Sequence, residues 1–170
     1  PRSTPKPSSA ASDVYKRQQP YRTYYAFDIA PSFWEYLIKL AKGGFIISID
    51  KVYSEIKRGK DELFSWININ FKNYFLPSGD EKTLESYKKL VNWVEESTQY
   101  KSIAKRKFED AENADAWLLA YAMAHSCIIV TQEIYKRDIK REIPIPNVCY
   151  AFNIEYIDIF ELLRKYNLKL

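Results

Sequence analysis

Histidine and cysteine are scarce in this sequence, which contains one histidine and two cysteines in 170 residues. Structural zinc sites use four Cys or His ligands, and Ser-His-Asp catalysis needs a recognisable histidine pattern, so neither class is supported. Cys127 and Cys149 lie in apolar surroundings, which favours reduced core thiols over a disulfide or a metal pair. The single histidine, His125, ends a predicted helix, where bonding to a terminal carbonyl is expected rather than base catalysis.

Long apolar runs are also lacking. No stretch of 18 apolar residues occurs, and the N-terminus has no apolar core of a secretory signal. Together with the reduced thiols, these absences predict a cytoplasmic protein without a membrane partner. Hydrophobic residues nevertheless make up 46% of the chain and aromatic residues 16%, so a packed core is expected. A chain of this length is expected to form one domain.

The net charge of +4 is concentrated near the N-terminus. Residues 1–20 carry four basic side chains against the single acid Asp13, which leaves 22 basic and 21 acidic residues in the rest of the chain. Overall charge therefore gives no argument for nucleic-acid binding, and any such argument must rest on local clusters.

Residues 1–20 differ from the remainder in composition. They are rich in Ser, Pro and Ala and show no hydrophobic period, in the run PRSTPKPSSAASDVYKRQQP. This segment is predicted to be a disordered tail or material foreign to the domain, with the native first strand missing or replaced. Residues 21–170 are predicted to form the domain.

From Tyr21 onward, helical and strand patterns alternate. Helices are predicted over 31–42, 51–58, 61–69, 84–94, 101–108, 115–125 and 160–166, a helical turn over 147–152, and strands over 45–49, 127–131 and 154–159. Pro31 suits a first helical position, Asp50 an N-cap and Gly59 a helix end. This alternation predicts an α/β fold with a mainly parallel sheet.

Two acids bracket the apolar stretch DAWLLAYAMAHSCIIVTQE, which runs from Asp115 to Glu133. Its first part predicts a buried helix, and residues 127–131 predict a strand. About 11 helical residues advance roughly 16 Å at about 1.5 Å each, and about five strand residues return roughly 16 Å at about 3.3 Å each. Asp115 and Glu133 are therefore expected at the same edge of the sheet.

A third acid, Glu55, lies in the early part of the helix that follows strand 45–49. Loops and helix starts beyond the carboxyl ends of parallel strands build the sites of α/β proteins, so Glu55 is expected at the same edge. Gathered carboxylates repel one another, and a divalent cation removes that repulsion. Mg²⁺ prefers oxygen ligands and needs few carboxylates, and such a centre can activate water against a phosphodiester.

Each acid also has an ordinary structural interpretation. Glu55 is spaced to pair with Lys51 and Arg58 on a solvated helix face. Asp115, in a first helical turn, is favourable to the helix dipole whether or not it binds a metal. Glu133 fits an ordinary loop acid.

Two basic clusters flank these acids in the sequence. Their members are Lys101, Lys105, Arg106 and Lys107 in the first cluster, and Lys136, Arg137, Lys140 and Arg141 in the second. Contact with an RNA backbone is one interpretation and a solvated surface is the other. Tyr100 and Tyr135 are candidates for stacking on bases.

Three motifs, DKVYSEI, DAWLLAYAMAH and CIIVTQE, occur in the order found in PIN-like domains. The chain resembles that family of metal-dependent ribonucleases, which includes the VapC-type toxins of prokaryotic toxin–antitoxin pairs, over about residues 24–167. The segments FDIAPSFWEYL, GKDELFSWI and IPIPNVCYAF look more closely like an uncharacterised prokaryotic subgroup of PIN-like proteins.

This resemblance implies a three-layer α/β/α fold with four acids around one or two Mg²⁺ or Mn²⁺ ions. Glu55 matches the second acid, Asp115 the third and Glu133 the fourth. Thr131 supplies the hydroxyl of the family's Thr-x-acid motif. The first acid belongs to an Asp-x-Asn motif that ends the opening strand. Neither that motif nor an apolar strand precedes Tyr21, where Asp13 is the one acid.

Two functions follow from the resemblance. One is a metal-dependent endoribonuclease, the toxin component of a toxin–antitoxin system, with RNA as substrate, a cognate antitoxin as partner and a homodimeric assembly. The other is a catalytically inactive PIN-like module that binds RNA or a protein, because the first acid is lacking.

Overall fold

The computed structural model describes residues 26–28 and 30–167, together with the backbone of residues 8–9. Its helices are α1 (Pro31–Lys42), α2 (Asp50–Gly59), α3 (Glu62–Asn70), α4 (Glu81–Glu96), α5 (Ser102–Glu109), α6 (Ala114–His125), α7 (Ile145–Phe152) and α8 (Ile159–Lys165). Its strands are β1 (Ser8–Ser9), β2 (Ser48–Ile49), β3 (Phe75–Leu76), β4 (Ile128–Val130) and β5 (Tyr156–Ile157). No helix within the described ranges is both long and apolar enough to cross a bilayer.

Every described strand pair is parallel, which confirms the predicted α/β class. β4 lies between β1 and β5, with Ile129 opposite Tyr156, and β2 pairs separately with β3. Strands of two or three residues give short ladders, so helices supply most of the regular structure. The central position of β4 matters for the site, because the chain leaves its carboxyl end toward Glu133.

A short strand, β1, precedes Tyr21, although no apolar run of strand length occurs there in the sequence. Ser8 pairs with Ile128 and Ser9 with Ile129. A parallel ladder is made by backbone N–H and C=O groups, which serine supplies as well as any apolar residue, so hydrophobic patterning gave no signal for it. Asp13 lies outside the described residues.

The helix boundaries follow local chemistry. α1 begins at Pro31, as predicted, and the chain turns after it at Gly44 with φ of 72°. Asp50 was predicted to cap α2, but it is the first helical residue. Its Oδ1 accepts hydrogen bonds from Ser78 N at 3.2 Å and Ser78 Oγ at 2.6 Å, so this carboxylate ties the loop after β3 to the start of α2.

α6 is the central helix of the core. Leu118, Leu119 and Ala120 are all fully buried, which confirms the burial predicted from its apolar surface, and α6 packs against α2, α4 and α7. Cys127 and Cys149 are buried free thiols. Burial raises the pKa of Cys149 to about 12, with a smaller contribution from the negative charge of Glu133.

A polar cluster joins the start of α4 to the end of α6. Thr83 Oγ1 donates to Asp80 Oδ2 at 2.6 Å, and His125 Nε2 lies 3.2 Å from the same oxygen. The hydrogen bond from the Thr83 side chain, with further help from Thr83 N and His125, lowers the pKa of Asp80 to about 2. His125 therefore ends its helix in a contact with Thr83 and Asp80, at the opposite end of the helix from Asp115.

This cluster predicts an acid-dependent loss of stability. Because the folded pKa of Asp80 lies below its ordinary value of 3.8, the ionised group stabilises the fold above about pH 4, and that contribution disappears as the pH falls toward about 2. The Asp80→Asn variant should be less stable than the wild type near neutral pH, and the gap should narrow toward about pH 2. Thermal unfolding of both proteins across that pH range measures the difference in stability. A difference that does not change with pH would contradict the lowered pKa of Asp80.

Candidate functional site

Asp115 and Glu133 line one cleft of about 80 Å³ at the carboxyl end of β4. Asp115 is the second residue of α6, and Glu133 follows β4 by three residues. The two residues are 18 positions apart in the sequence, so only the return of the chain through β4 brings them together. Their predicted convergence at one edge is confirmed.

The start of α6 is fixed by Asn113, which also lines the cleft. Its Oδ1 accepts a hydrogen bond from Asp115 N at 3.1 Å and caps the helix. Its Nδ2 donates to the carbonyls of Lys107 at 3.0 Å and Phe108 at 3.3 Å. One amide side chain therefore joins α5 to α6 and sets the position of Asp115 relative to α5.

Glu133 is held by both its backbone and its carboxylate. Glu133 N donates to Thr131 Oγ1 at 3.1 Å, while Glu133 Oε2 accepts a hydrogen bond from Ile145 N at 2.8 Å, at the first residue of α7. Thr131 is buried and is not among the cleft-lining residues, so its hydroxyl orients Glu133 rather than entering the cleft. A carboxylate at a helix start is also favoured by the helix dipole.

Glu55 lies beside the start of α6 but is not among the residues that line the cleft. On α2, residues 51, 55 and 58 share one helical face. Lys51 Nζ lies 4.9 Å from the centre of the Trp117 ring, and Arg58 forms an ion pair with Glu112. Both predicted partners of Glu55 thus contact the segment 112–117, and Glu55 lies between them on the same face of α2.

The three predicted acids do not form a metal-ligand group in the described part of the chain. Within residues 26–28 and 30–167, no group of three or more His, Cys, Asp or Glu side chains is arranged to hold a metal ion. The structure brings Asp115 and Glu133 together and leaves Glu55 at the neighbouring helix face. Their roles as metal ligands and catalytic residues stay predictions.

Two lysines and a further carboxylate also line the cleft, namely Lys107, Lys136 and Glu142. Lys136 Nζ lies 2.8 Å from Glu142 Oε1, and both side chains are partly exposed, so this pair contributes at most about 1 kcal/mol to stability. Sequence reasoning missed Glu142, because it follows a basic run and lies at no predicted helix start or strand end. The cleft therefore combines acids with basic side chains on its rim.

The two basic clusters of the sequence are adjacent in space. Lys101 N donates to Lys140 O at 2.8 Å, and Gln99 Nε2 donates to the carbonyls of Arg137 and Ile139, each at 2.9 Å. These backbone contacts bring the segment 101–107 alongside the segment 134–141. We call the two segments together the basic face.

Most of the predicted RNA-contacting side chains on the basic face are exposed, while two are engaged within the protein. The exposed ones are Lys101, Arg106, Lys107, Arg137, Lys140 and Arg141. Lys105 Nζ donates to Glu95 O at 2.6 Å, and Lys136 pairs with Glu142. Tyr100 is only 6% exposed and packs edge-on to Trp93, so its predicted role in stacking on bases is wrong.

Asn147 holds the loop that carries the second basic cluster. Its Oδ1 accepts from Lys136 N at 3.0 Å and its Nδ2 donates to Lys136 O at 2.8 Å. Asn147 itself is buried in α7, so these bonds are shielded from water. The loop between β4 and α7 is therefore anchored beside the cleft at both of the backbone polar groups of Lys136.

Replacing Asn147 with alanine should lower the free energy of unfolding by about 1–3 kcal/mol, because two backbone groups lose a buried partner. Hydrogen exchange at Lys136 N–H should accelerate in the variant. Chemical denaturation and exchange mass spectrometry measure the two effects. Asn153→Ala would not be a suitable control, because that residue has a left-handed backbone with φ of 53°; Asn92→Ala, on the exposed surface of α4, is the matched variant.

The geometry defines an α/β protein with an acidic cleft at the end of a central parallel strand and a basic face beside it. The chain belongs to the family described as a domain of unknown function (DUF4411), whose model matches residues 18–170. No curated protein and no solved structure matches the chain.

Proposed function

We propose that this chain is a metal-dependent endoribonuclease of the PIN-like type and the toxin component of a toxin–antitoxin pair. The observation that carries the proposal is the shared cleft of Asp115 and Glu133, which lies next to the basic face. Clustered acids suit a divalent cation and clustered bases suit phosphates, so the two together suit the cutting of a nucleic-acid backbone. The resemblance of the motifs to PIN-like domains adds RNA as the substrate.

The donors in the cleft are compatible with Mg²⁺ or Mn²⁺. Mg²⁺ keeps several waters and is commonly bound through one or two carboxylates plus substrate phosphate, so a third protein acid is not required. Asp115 and Glu133 would hold the ion, with Glu55 on the adjacent face of α2. The chemistry supplied by such an ion is activation of water and stabilisation of negative charge at the scissile phosphate.

The remaining residues would bind and position RNA. Lys107 lines the cleft and carries a positive charge to the rim, where a phosphate oxygen would be neutralised. The exposed cations of the basic face would extend that contact along the strand. Thr131 would act as a positioning residue, because its buried hydroxyl accepts the hydrogen bond from Glu133 N.

A second candidate is a PIN-like module that binds RNA or a protein partner without cutting. The observation in its favour is that the described residues lack a three-ligand metal group, while one oxygen of Glu133 already accepts a bond from Ile145 N. The two candidates share the basic face and differ only in the chemistry of the cleft.

A cleavage assay separates the two candidates. Single-stranded RNA is incubated with the full chain in Mg²⁺ or Mn²⁺ and, in parallel, with excess EDTA. The endoribonuclease proposal expects internal cuts that EDTA abolishes and that added Mn²⁺ restores. Binding without cuts in either metal supports the module, and cuts that persist in EDTA rule out metal dependence.

The cytoplasmic location stays a prediction from the reduced thiols and the lack of long apolar runs, and the cognate antitoxin and the homodimer stay predictions of the family resemblance. Co-purification of the chain with the product of a neighbouring small reading frame would test the partner directly.

A further inference from the structure

Two tyrosines lie against each other on the outside of the protein. Tyr135 is 44% exposed and Tyr150 is 76% exposed, and their ring centres are 5.3 Å apart at 52° to one another. We call them the tyrosine pair. Two exposed rings in contact bury little of their apolar surface, and much of each ring face stays accessible to water. Core packing therefore does not account for the position of Tyr150.

The tyrosine pair lies next to the cleft. Tyr135 is bonded to Ile134 and Lys136, which both line the cleft, so its Cα is about 3.8 Å from theirs. Tyr150 belongs to α7, whose first backbone N–H holds the carboxylate of Glu133. A ligand bound on the two rings would therefore lie close to a ligand bound in the cleft.

Both rings are mounted on well-anchored backbone. α7 buries Ile145, Val148 and Cys149 against the core and turns Tyr150 outward. The loop bearing Tyr135 is fixed one residue later, where Asn147 bonds both backbone groups of Lys136. A platform held in this way loses little conformational entropy when a ligand binds it, which favours affinity.

The charges around the pair select the ligand. The loop that carries Tyr135 also carries the exposed cations Arg137, Lys140 and Arg141 and one exposed acid, Asp138, and the adjoining segment 101–107 contains four basic residues and no acid. A ligand that suits this surface has a flat apolar ring and a negative charge in each repeat. Single-stranded RNA has both, whereas a duplex keeps its bases stacked inside.

We propose that Tyr135 and Tyr150 form a stacking platform for an unpaired base of single-stranded RNA, next to the nucleotide whose phosphate enters the cleft. This inference rests on the proposed function for the identity of the ligand. It goes beyond it by assigning a base subsite to residues outside the acidic cleft, and by requiring the substrate to be unpaired at that nucleotide.

Fluorescence anisotropy with a labelled single-stranded RNA of roughly a dozen nucleotides tests the platform, in EDTA so that no cutting occurs. Tyr150→Ala should weaken binding by roughly 5- to 100-fold, the usual loss for one base stacked on an aromatic ring. Tyr150→Phe keeps the ring and should bind like the wild type. Tyr156→Ala, which removes a tyrosine that is 38% exposed on β5, is the matched control and should also bind normally.

Salt dependence separates stacking from charge. Tyr150→Ala should leave the slope of log Kd against log salt unchanged, because the ring carries no charge. Removing two charges in the double variant Lys107→Gln, Lys140→Gln should reduce that slope by about 0.7 for each lost phosphate contact. A change of slope in Tyr150→Ala would overturn the platform.

The remaining outcomes distinguish the platform from the proposed enzyme. RNA binding that is equal in the wild type and Tyr150→Ala overturns the platform alone, as does equally tyrosine-dependent binding of a blunt duplex. Tyrosine-dependent binding of single strands without cleavage in any metal supports the platform and removes the enzyme. Failure of the wild type to bind RNA overturns both.

Discussion

Replacing Asp115 with asparagine should reduce RNA cleavage by roughly a hundredfold or more. Asparagine keeps the size of the side chain but loses the charge that would hold a divalent cation, and such an ion contributes several kcal/mol to phosphodiester cleavage. The helix start should survive, because its cap is Asn113 and not Asp115. Initial rates with saturating RNA at several Mg²⁺ concentrations measure the effect, and thermal unfolding shows whether the variant is folded.

Glu81→Gln provides the matched control for this prediction. It also converts a carboxylate to an amide, but it lies at the start of α4, near the His125 end of α6 and away from the cleft. Its cleavage rate should equal that of the wild type. Equal rates for Asp115→Asn and the wild type would mean that the cleft is not the active site.

The largest expected loss of stability comes from Leu119→Ala in α6. Leu119 is fully buried in the helix that packs against α2, α4 and α7, so truncation leaves a cavity that no single neighbour can fill. Core Leu→Ala changes cost about 2–5 kcal/mol of unfolding free energy. Urea denaturation followed by circular dichroism measures this loss.

Leu84→Ala gives the comparison on the surface. Leu84 is 40% exposed on α4, so the same truncation removes partly solvated methyl groups and should cost clearly less, under about 1.5 kcal/mol. A similar loss at both positions would contradict the central position of α6.

The path from Asp115 to Glu133 was predictable because local pattern and geometry agree there. A run of small and apolar residues specifies a buried helix, and a short β-branched run specifies a buried strand. The lengths of the two elements alone then bring the flanking acids to one edge. The positions of these two acids therefore depend little on long-range packing, and they could be predicted from a single sequence.

Other features depend on contacts between distant segments, which periodicity does not encode. β3 has two residues and pairs with β2, too short a run to show alternation. Glu142 lines the cleft from the end of a loop that Asn147 and Gln99 contact from distant parts of the chain. Tyr150 lies within a predicted helical turn, and its exposure follows from which face α7 turns inward.

Glu55 shows what cannot be predicted from the order of helices and strands alone. The sequence correctly put it in the helix after β2, and contacts of Lys51 and Arg58 turn its face of α2 toward α6. Whether a side chain enters a cleft, however, depends on helix rotation and separation, and a few ångströms decide between lining it and lying beside it. Secondary structure alone has no such resolution.

The side chain of Glu133 has two structural roles. Its carboxylate lines the cleft and also accepts a hydrogen bond from the first residue of α7. Truncating Glu133 would remove this contact to the helix that bears Tyr150 and would also remove one of the acids that line the cleft. A loss of activity in such a variant would therefore combine two effects, a weaker acidic site and a displaced α7. A genetic screen that identified Glu133 would not distinguish these two effects.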